Sequence, residues 1–439
     1  MIRIEDLRGV ALTAANAHGF VPRVTVGAAE VDATVIDLMA EVKSEGSVAL
    51  QRHALAFDGA SVKDLRVSAS ALKGALSGLD KSVKVALEES IRRVRAASED
   101  AVPQSTTTTY NAGGTVTTRY VPVDRAGVYV PGGKAVYPSS VVMNVVAAQA
   151  AGVPDIVLVS PPQQEFGGLP HPTILAAAEL LGVSEVYAMG GASAIAALAW
   201  GVRDLGLEPV SVITGPGNRY VAAAKKHVRG QVGIDSEAGP TEIGILADDT
   251  AHPEFIAADL VSQAEHDELA SAVLVTTSWE LAKRVEAALT RQVALTHHSE
   301  RVATSLGGEQ SAILVVDTLD QAVDLANALA AEHLEIMVES PDDVVGAIRH
   351  AGAIFVGDYT PVSAGDYLAG SNHVLPTAGG ARFTSGLSPL TFLRSQQVVE
   401  YDKAALGHVA ESIVALARAE NLPAHGDAVT TRFLDPDEL

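Results

Sequence analysis

The sequence predicts an α/β protein with two Rossmann-like, incomplete parallel-sheet domains, N-terminal helices and a C-terminal helical tail. Short apolar runs alternate with helical patterns over two long stretches, which is typical of parallel strands joined by crossover helices. Glycine-containing turns separate several of these runs from the helix that follows. Hydrophobic residues make up 48% of the 439 residues, which is enough to form more than one buried core.

The first part of the chain predicts helices followed by a β-hairpin. Residues 30–57 and 70–101 carry apolar residues at helical spacing, as in VIDLMAEVKSEGSVALQRHAL. The stretch STTTTYNAGGTVTTRYVPV then alternates Thr and Tyr on either side of an Asn-Ala-Gly-Gly turn, which is typical of a hairpin. We expect residues 1–122 to form one region that packs with residues 236–385.

Two α/β series follow the hairpin and predict two separate domains. Residues 123–235 contain AGVYVPGGKAVYPSSVVMNVVAAQAAGV, a strand, a glycine turn and a helix, and the same alternation continues through VSVITGPGNRYVAAAKKHV. Residues 236–385 form a second such series, from TEIGILAD to GAIFVG. Residues 386–439 form a tail whose amphipathic helix, AALGHVAESIVALARAE, needs a partner surface in its own domain or on a second chain.

Composition narrows the classes of partner and of chemistry. The formal net charge of -22 disfavours binding to nucleic-acid phosphates and to anionic membrane surfaces. No apolar run is long enough to span a bilayer, and the start MIRIEDLRGV lacks a signal-peptide pattern, so we expect a cytoplasmic protein. The sequence contains no cysteine, which excludes disulfides, thiolate metal sites and covalent catalysis through a thiol.

Glycine turns at the predicted carboxyl ends of strands offer one candidate binding region, because their backbone N–H groups can meet an anion. These turns contain Gly132 and Gly133, Gly190 and Gly191, and Gly215 with Gly217. None completes a nucleotide-binding fingerprint, since GPGN lacks a third glycine and VPGGKAV has Ala135 where Ser or Thr would hold magnesium. Glycine is also common in such turns because it lets the chain reverse, so both interpretations stay open.

A second candidate region combines LVSQAEHDEL with the polar loop SAGDYLAGSNHVLP. Gln263 and His266 are three residues apart on a predicted helix and project from one face. Asp366 and a further histidine could complete a four-ligand N/O shell suited to zinc, with manganese or cobalt as substitutes. The alternative is that the histidine is exposed or structurally satisfied and that the loop is a surface turn.

Glu332 and His333 lie together where the helix pattern of AAEHLEIMV gives way to a strand. A carboxylate beside an imidazole can divide proton transfers between them near neutral pH. The alternative is a solvated helix end, where histidine interacts well with the last carbonyl groups. Considered without the other motifs, the pair favours this alternative.

Taken together, several motifs resemble those of the histidinol dehydrogenases. GPGNRYVAAAKKHV, DSEAGPTEI, LVSQAEHD, AEHLEI and SAGDYLAGSNHVLPT occur in this order, and the likeness extends over essentially the whole chain. The resemblance implies an NAD-dependent and zinc-dependent enzyme of histidine biosynthesis. Such an enzyme oxidises L-histidinol to L-histidine through L-histidinaldehyde in a four-electron reaction.

The resemblance also implies roles for individual residues. Glu332 and His333 match the family's proton-transfer pair, and one zinc ion per subunit is held by Gln263, His266, Asp366 and His425. The substrate contacts are Thr241, Gln263, His266, His333, Asp366, Glu420 and His425, with His373 supporting this shell. The NAD contacts are Tyr129, Ser193 and Asn218. The family is homodimeric, and its tail reaches across, so Glu420 and His425 are expected to complete the partner's active site.

Two positions depart from the family pattern, and two other functional classes remain open. Ser193 stands where family members often have Gln, and Ala331 replaces a proline before the Glu-His pair. A zinc hydrolase could use the same His, Asp and Glu residues to activate water, and NAD dependence separates the two. A two-lobed binding protein would keep the clefts without turnover, but it would usually carry an export signal.

Overall fold

The computed structural model describes residues 2–23, 29–111, 113–132, 136–236 and 239–435. Its contacts divide the chain into two compact units. The larger unit comprises Met1–Ala101 and Asp124–Phe392, and the smaller unit comprises Val102–Val123 and Leu393–Leu439. Gly133 and Ala135 of the first glycine turn lie outside the described residues.

The N-terminal segment contains one strand and then helices, and the predicted hairpin follows. The elements are β1 (Arg3–Asp6), α1 (Ala29–Glu45), α2 (Ser47–Asp58), α3 (Ala69–Ser77), α4 (Lys81–Asp100), β2 (Thr106–Thr109) and β3 (Thr115–Pro122). Gly46, at φ 60°, divides the helical pattern of residues 30–57 into α1 and α2, because this conformation is unfavourable for other residues. The carboxylate of Asp80 caps α4 by accepting from the N–H groups of Ser82 and Val83.

The first parallel sheet lies in the larger unit. Its strands and helices are β4 (Arg125–Tyr129), α5 (Pro138–Ala150), β5 (Asp155–Ser160), α6 (Pro172–Leu180), β6 (Glu185–Ala188), α7 (Gly191–Trp200), β7 (Val212–Thr214), α8 (Arg219–Val228) and β8 (Gly233–Ile234). The five strands run in the order β6-β5-β4-β7-β8. Buried Val, Ala and Ile side chains from strands and helices form the core, as the continuous apolar runs predict.

The second parallel sheet also lies in the larger unit. Its elements are β9 (Glu242–Ala247), α9 (Pro253–Ala264), β10 (Ser271–Thr276), α10 (Trp279–Leu295), α11 (Ser299–Gly307), β11 (Ala312–Val315), α12 (Leu319–Leu329), β12 (His333–Met337), α13 (Pro341–Val345), β13 (Ala353–Val356) and α14 (Val362–Tyr367). The six strands run in the order β1-β11-β10-β9-β12-β13. The predicted fold class, with two parallel sheets and crossover helices, is therefore confirmed.

One local feature differs from the sequence expectations. The stretch SAGDYLAGSNHVLP was expected to lie outside regular structure, but its first residues belong to the short helix α14. In the N-terminal region, β1 pairs with β11 and Ala17–Gly19 contacts α12 of the second series, while α1 packs against α7 and α8 and α3 packs against α6. The apolar faces of these helices find their partners on the first sheet's helices, a choice that periodicity does not encode.

The smaller unit combines the predicted hairpin with the tail. The remaining elements are β14 (Leu393–Glu400), α15 (Lys403–Ala419) and α16 (Pro423–Thr430). Strands β2 and β14 both pair antiparallel with β3, so the tail begins by extending the hairpin into a three-stranded sheet. Helix α15 matches the predicted amphipathic helix and packs against α16.

Across the described ranges, no helix is both long and apolar enough to cross a membrane.

Candidate active site at the amino ends of two neighbouring strands

The candidate catalytic residues lie where β9 and β12 begin, on adjacent strands of the second sheet. His333 opens β12 and is level with Ile243 of β9, so Glu332 lies beside Thr241 and Glu242. Gln263 comes from the last turn of α9, and Asp366 from the last turn of α14. These residues therefore gather at the amino ends of the strands, opposite to the carboxyl edge that open α/β sheets usually employ.

A chain of hydrogen bonds connects three of the predicted residues. The amide Nε2 of Gln263 donates to Oγ1 of Thr241 over 2.7 Å. Thr241 in turn donates its hydroxyl to Oε2 of Glu332, which also accepts from the backbone N–H of Glu242 at 3.0 Å. One carboxylate oxygen of Glu332 is thus fixed by two donors, a hydroxyl and a backbone N–H.

Glu332 is buried and has an unusual proton affinity for a carboxyl group. Burial raises the pKa of Glu332 to about 7, although the hydrogen bonds from Thr241 and Glu242 oppose this rise. A carboxyl group with such a pKa can both accept and release a proton near neutral pH.

His333 presents one ring nitrogen as a proton acceptor. Its Nδ1 donates to the backbone oxygen of Glu242 at 3.1 Å, which places the ring hydrogen on Nδ1 and a lone pair on Nε2. Nε2 is buried and has no hydrogen-bond partner within the described part of the chain. Burial lowers the pKa of His333, and the charge of Asp366 opposes this change. The neutral ring therefore offers a base to whatever enters the site.

Asp366 and His373 are linked within the polar loop. Nδ1 of His373 donates to the backbone oxygen of Asp366 at 3.0 Å, and its Nε2 accepts from the hydroxyl of Ser140 at 3.1 Å. Burial lowers the pKa of His373 to about 4, so its ring is neutral. Since both ring nitrogens are occupied, His373 can support the position of Asp366, and it offers no free nitrogen in this arrangement. Burial raises the pKa of Asp366 to about 6.

Gln263, His266 and Asp366 present an amide oxygen, an imidazole and a carboxylate, which are suitable donors for a zinc ion. His266 lies just beyond α9 and is exposed on one side, while the protein packed around its other side lowers the pKa of the ring. A positive charge on His333 would lower the pKa of His266 further. In the described residues, no group of three or more His, Cys, Asp or Glu side chains could hold a metal ion. Gln263, His266 and Asp366 all belong to the larger unit.

The remaining predicted residues of the substrate site belong to the smaller unit. Glu420 follows α15 as its C-cap, and His425 lies in α16. Both residues are exposed in the chain.

The three residues expected to contact NAD lie around the first sheet. Tyr129 ends β4, and its hydroxyl accepts from the N–H of Gly191 at 3.3 Å. Asn218 caps α8, because its side-chain oxygen accepts from the N–H groups of Tyr220 and Val221 at 3.0 and 3.2 Å. Ser193 is buried in α7, and its hydroxyl is hydrogen-bonded to Nδ1 of His53 at 2.8 Å. The Ser193 side chain is thus engaged inside the protein.

The glycine turn TGPGN is held by two buried residues that the sequence patterns did not single out. Lys225, on α8, forms a buried ion pair with Asp235 and donates to the backbone oxygen of Gly215 at 3.1 Å. Asp235 accepts from the N–H of Gly215 at 2.7 Å. A signal for Lys225 was its place among the apolar positions of an otherwise amphipathic helix.

Glu242 is a further site residue that sequence reasoning missed. Its backbone N–H fixes Glu332 and its backbone oxygen orients His333. Burial raises the pKa of its own carboxyl to about 7, and the neighbouring Glu332 adds to this rise. Its position directly after Thr241 in the motif was the available signal.

Comparisons with known proteins identify the family of the chain. The family model described as histidinol dehydrogenase matches residues 21–433. The chain is 57% identical over 428 residues to histidinol dehydrogenase of Thermobifida fusca (strain YX), covering 98% of this chain and 97% of the relative. It is 56% identical over 434 residues to that of Mycolicibacterium smegmatis, with 98% and 97% covered.

A solved structure shows the same fold. The crystal structure of histidinol dehydrogenase from Elizabethkingia anophelis superposes with a TM-score of 0.93 at 30% sequence identity, covering 98% of each chain. Because the family model, close relatives and this structure all extend over nearly the whole chain, the protein is an oxidoreductase that belongs to the histidinol dehydrogenase family.

Proposed function

We propose that the enzyme oxidises L-histidinol to L-histidine through L-histidinaldehyde, in the last steps of histidine biosynthesis, with NAD as oxidant and zinc as a bound metal ion. The observation that carries this proposal is the buried Glu332 and His333 pair. Nε2 of His333 carries a lone pair, is buried and has no hydrogen-bond partner in the described residues, and burial raises the pKa of the neighbouring Glu332 to about 7. Two bases in one site suit two successive oxidations.

In the first oxidation, His333 accepts the hydroxyl proton of histidinol at Nε2 as the carbon loses a hydride. The hydrogen bond from Nδ1 to the Glu242 backbone holds the ring in the tautomer that this transfer needs. The positive charge that forms on the ring is stabilised by Asp366, whose charge favours the protonated imidazole.

In the second oxidation, Glu332 removes a proton from water as the water adds to the aldehyde carbon. The resulting diol again carries a hydroxyl proton and a transferable hydride on the same carbon. Once His333 has released its first proton to solvent, Nε2 accepts this hydroxyl proton as the carbon loses its second hydride, which gives the carboxylic acid of histidine. Because the sequence contains no cysteine, the thiohemiacetal route of many aldehyde oxidisers is closed, and the diol route accounts for the second step.

Two bound groups complete the proposal. Gln263, His266 and Asp366 would hold zinc together with His425 of the partner subunit, while Tyr129, Ser193 and Asn218 would line the NAD site. When bound, zinc supplies a cationic template that orients the substrate, and NAD supplies the hydride acceptor. Thr241 and Glu420 would contact the substrate. The cytoplasmic location expected from the sequence remains a prediction.

The stoichiometry of the reaction tests the proposed function. We expect each L-histidinol consumed by the purified protein to produce two NADH with little free aldehyde, because both oxidations occur in one site. Absorbance of NADH and chromatographic quantification of histidine measure this ratio. A ratio of one would indicate an ordinary alcohol dehydrogenase, and turnover without NAD would favour the zinc hydrolase.

Metal removal tests the zinc site separately. Chelation is expected to abolish turnover and added zinc to restore it, since the ligand set holds its geometry only around the ion. The variants His266→Ala and Asp366→Ala are expected to lose bound zinc, as measured by elemental analysis. Full activity in a protein shown to be metal-free would refute the ligand assignment while leaving the oxidation itself intact.

A further inference from the structure

Glu335 lies beneath the catalytic pair and is not used by the proposed reaction. It follows His333 by two residues on β12, so both side chains project from the same face of the sheet. Glu335 is only 1% exposed. Oε1 of Glu335 accepts from the backbone N–H of Val362 at 2.9 Å, and Val362 is the first residue of α14. Glu335 therefore ties β12 to the helix that carries Asp366.

A second carboxyl group reaches Glu335 from α9. Asp259 lies within hydrogen-bonding range of Glu335. Asp259 precedes Gln263 by four residues, so the two side chains lie on the same face of α9, one turn apart. The Asp259–Glu335 contact consequently links the helix that carries Gln263 to the strand that carries His333.

Two carboxyl groups can share a hydrogen bond only when one of them is protonated. Oε2 of Glu335 is buried and receives no hydrogen bond from any N–H or O–H donor of the described residues. Burial raises the pKa of Glu335 to about 9, and the charge of Asp259 adds to this rise, while burial raises that of Asp259 to about 6. At neutral pH the pair therefore retains one proton.

We propose that Asp259 and Glu335 share one proton and act as a positioning pair that fixes α9, β12 and α14 relative to one another. These three elements carry Gln263, His333 and Asp366. The part of this proposal that concerns zinc affinity rests on the proposed function, whereas the shared proton does not. The pair acts through the residues it holds in place, and neither carboxyl group needs to touch the substrate.

Two replacements of Glu335 distinguish the effect of its proton from the effect of its hydrogen bonds. In Glu335→Gln the amide oxygen can still accept from Val362, and the amide N–H can donate to Asp259 without a titrating proton. We expect this variant to bind zinc within about twofold of the wild type. Glu335→Leu removes both bonds, and we expect its zinc dissociation constant to rise by roughly tenfold or more, the size found for residues that orient metal ligands. Chelator competition on the full-length protein measures both values.

The pH dependence of unfolding reports on the shared proton directly. Glu335 has a higher pKa in the folded chain than its ordinary value of 4.5, so the wild type loses stability as pH rises from 4.5 towards 9. Asp259 is the titratable group that faces Glu335, and α14 presents the backbone N–H of Val362. Glu335→Gln cannot release a proton from this side chain in the unfolded state. Its midpoint of thermal unfolding, relative to the wild type, is therefore expected to rise between pH 5 and pH 9.

Controls and a second variant keep the test decisive. Glu88→Gln changes an exposed acid on α4 and is expected to leave zinc affinity and the pH profile unchanged. If Glu335→Leu does not fold, Asp259→Ala tests the same link from the α9 side and should also weaken zinc binding. Unchanged zinc affinity in a folded variant that lacks the link would overturn the positioning role. If the midpoint of thermal unfolding depends on pH in the same way in Glu335→Gln and in the wild type, the shared proton is overturned. This outcome is independent of whether the wild type binds zinc.

Discussion

At the scale of single residues, one physical cause shifts the pKa of both Glu332 and His333, the two bases of the proposed reaction. Burial disfavours the charged form of any group, so it raises the pKa of the Glu332 carboxyl and lowers that of the His333 imidazole. Near neutral pH the carboxyl of Glu332 can therefore hold or release a proton, whereas the ring of His333 favours its neutral form. The motif AEHLEI predicted this pair, but only the structure shows that Glu242, through its backbone, contacts both residues.

Glu332→Gln should therefore separate the two oxidations. We expect oxidation of supplied histidinaldehyde to fall by roughly 10²–10⁴-fold, the usual contribution of a general base, and oxidation of histidinol to fall much less. In the wild type, the rate of aldehyde oxidation should rise with pH through about 7 as Glu332 ionises, and this rise should disappear in the variant. Stopped-flow absorbance of NADH measures each step, and equal losses in both would reject the division of labour.

At the scale of elements, the sequence predicted strands and helices well but their partners poorly. Apolar runs of four to eight residues between glycine turns identified the parallel strands, because strands buried on both faces are continuously apolar. The packing of α1 against α7 and α8 was not predicted, since an apolar helix face does not specify which surface covers it. The site was also hard to place, because its residues lie at the amino ends of β9 and β12 and come from four separate segments.

The turn after β7 offers a matched pair of glycine substitutions. Gly215 has φ 115°, and a Cβ there would collide with the backbone oxygen of Tyr129. Gly230 has a similar φ of 102° but has nothing within 4 Å of its added Cβ. Both Ala variants should lose roughly 1–2 kcal/mol of stability from backbone strain, and Gly215→Ala should lose more because of the collision with Tyr129. Only Gly215→Ala should also weaken NAD binding, by about tenfold or more, because the collision displaces Tyr129 or Asn218.

Isothermal titration with NAD and thermal unfolding distinguish the two effects. Wild-type NAD affinity in a folded Gly215→Ala protein would show that the TGPGN turn is not part of the NAD site. If both variants lose NAD affinity equally, the loss comes from general destabilisation and not from the turn at Gly215.

At the scale of the whole molecule, the predicted zinc ligands and substrate contacts are divided between the two compact units. Gln263, His266 and Asp366 belong to the larger unit, whereas Glu420 and His425 belong to the smaller one and are exposed. Pattern analysis of one sequence cannot assign residues to one subunit or to two, because the same chain supplies both. The expectation of a homodimer with shared active sites came from the family resemblance, and an exchange experiment can test it.

In that experiment, two inactive proteins are mixed under conditions that exchange subunits. One carries both Glu332→Gln and His333→Ala, and the other carries His425→Ala. If His425 serves the partner's site, a mixed dimer has one site with all the defects and one with none. At equal mixing, random pairing makes half of the dimers mixed, so about a quarter of wild-type activity should return. If His425 instead serves its own chain, every site keeps a defect. Subunit exchange verified by mass-tagged chains, with no recovered activity, would then refute the shared site.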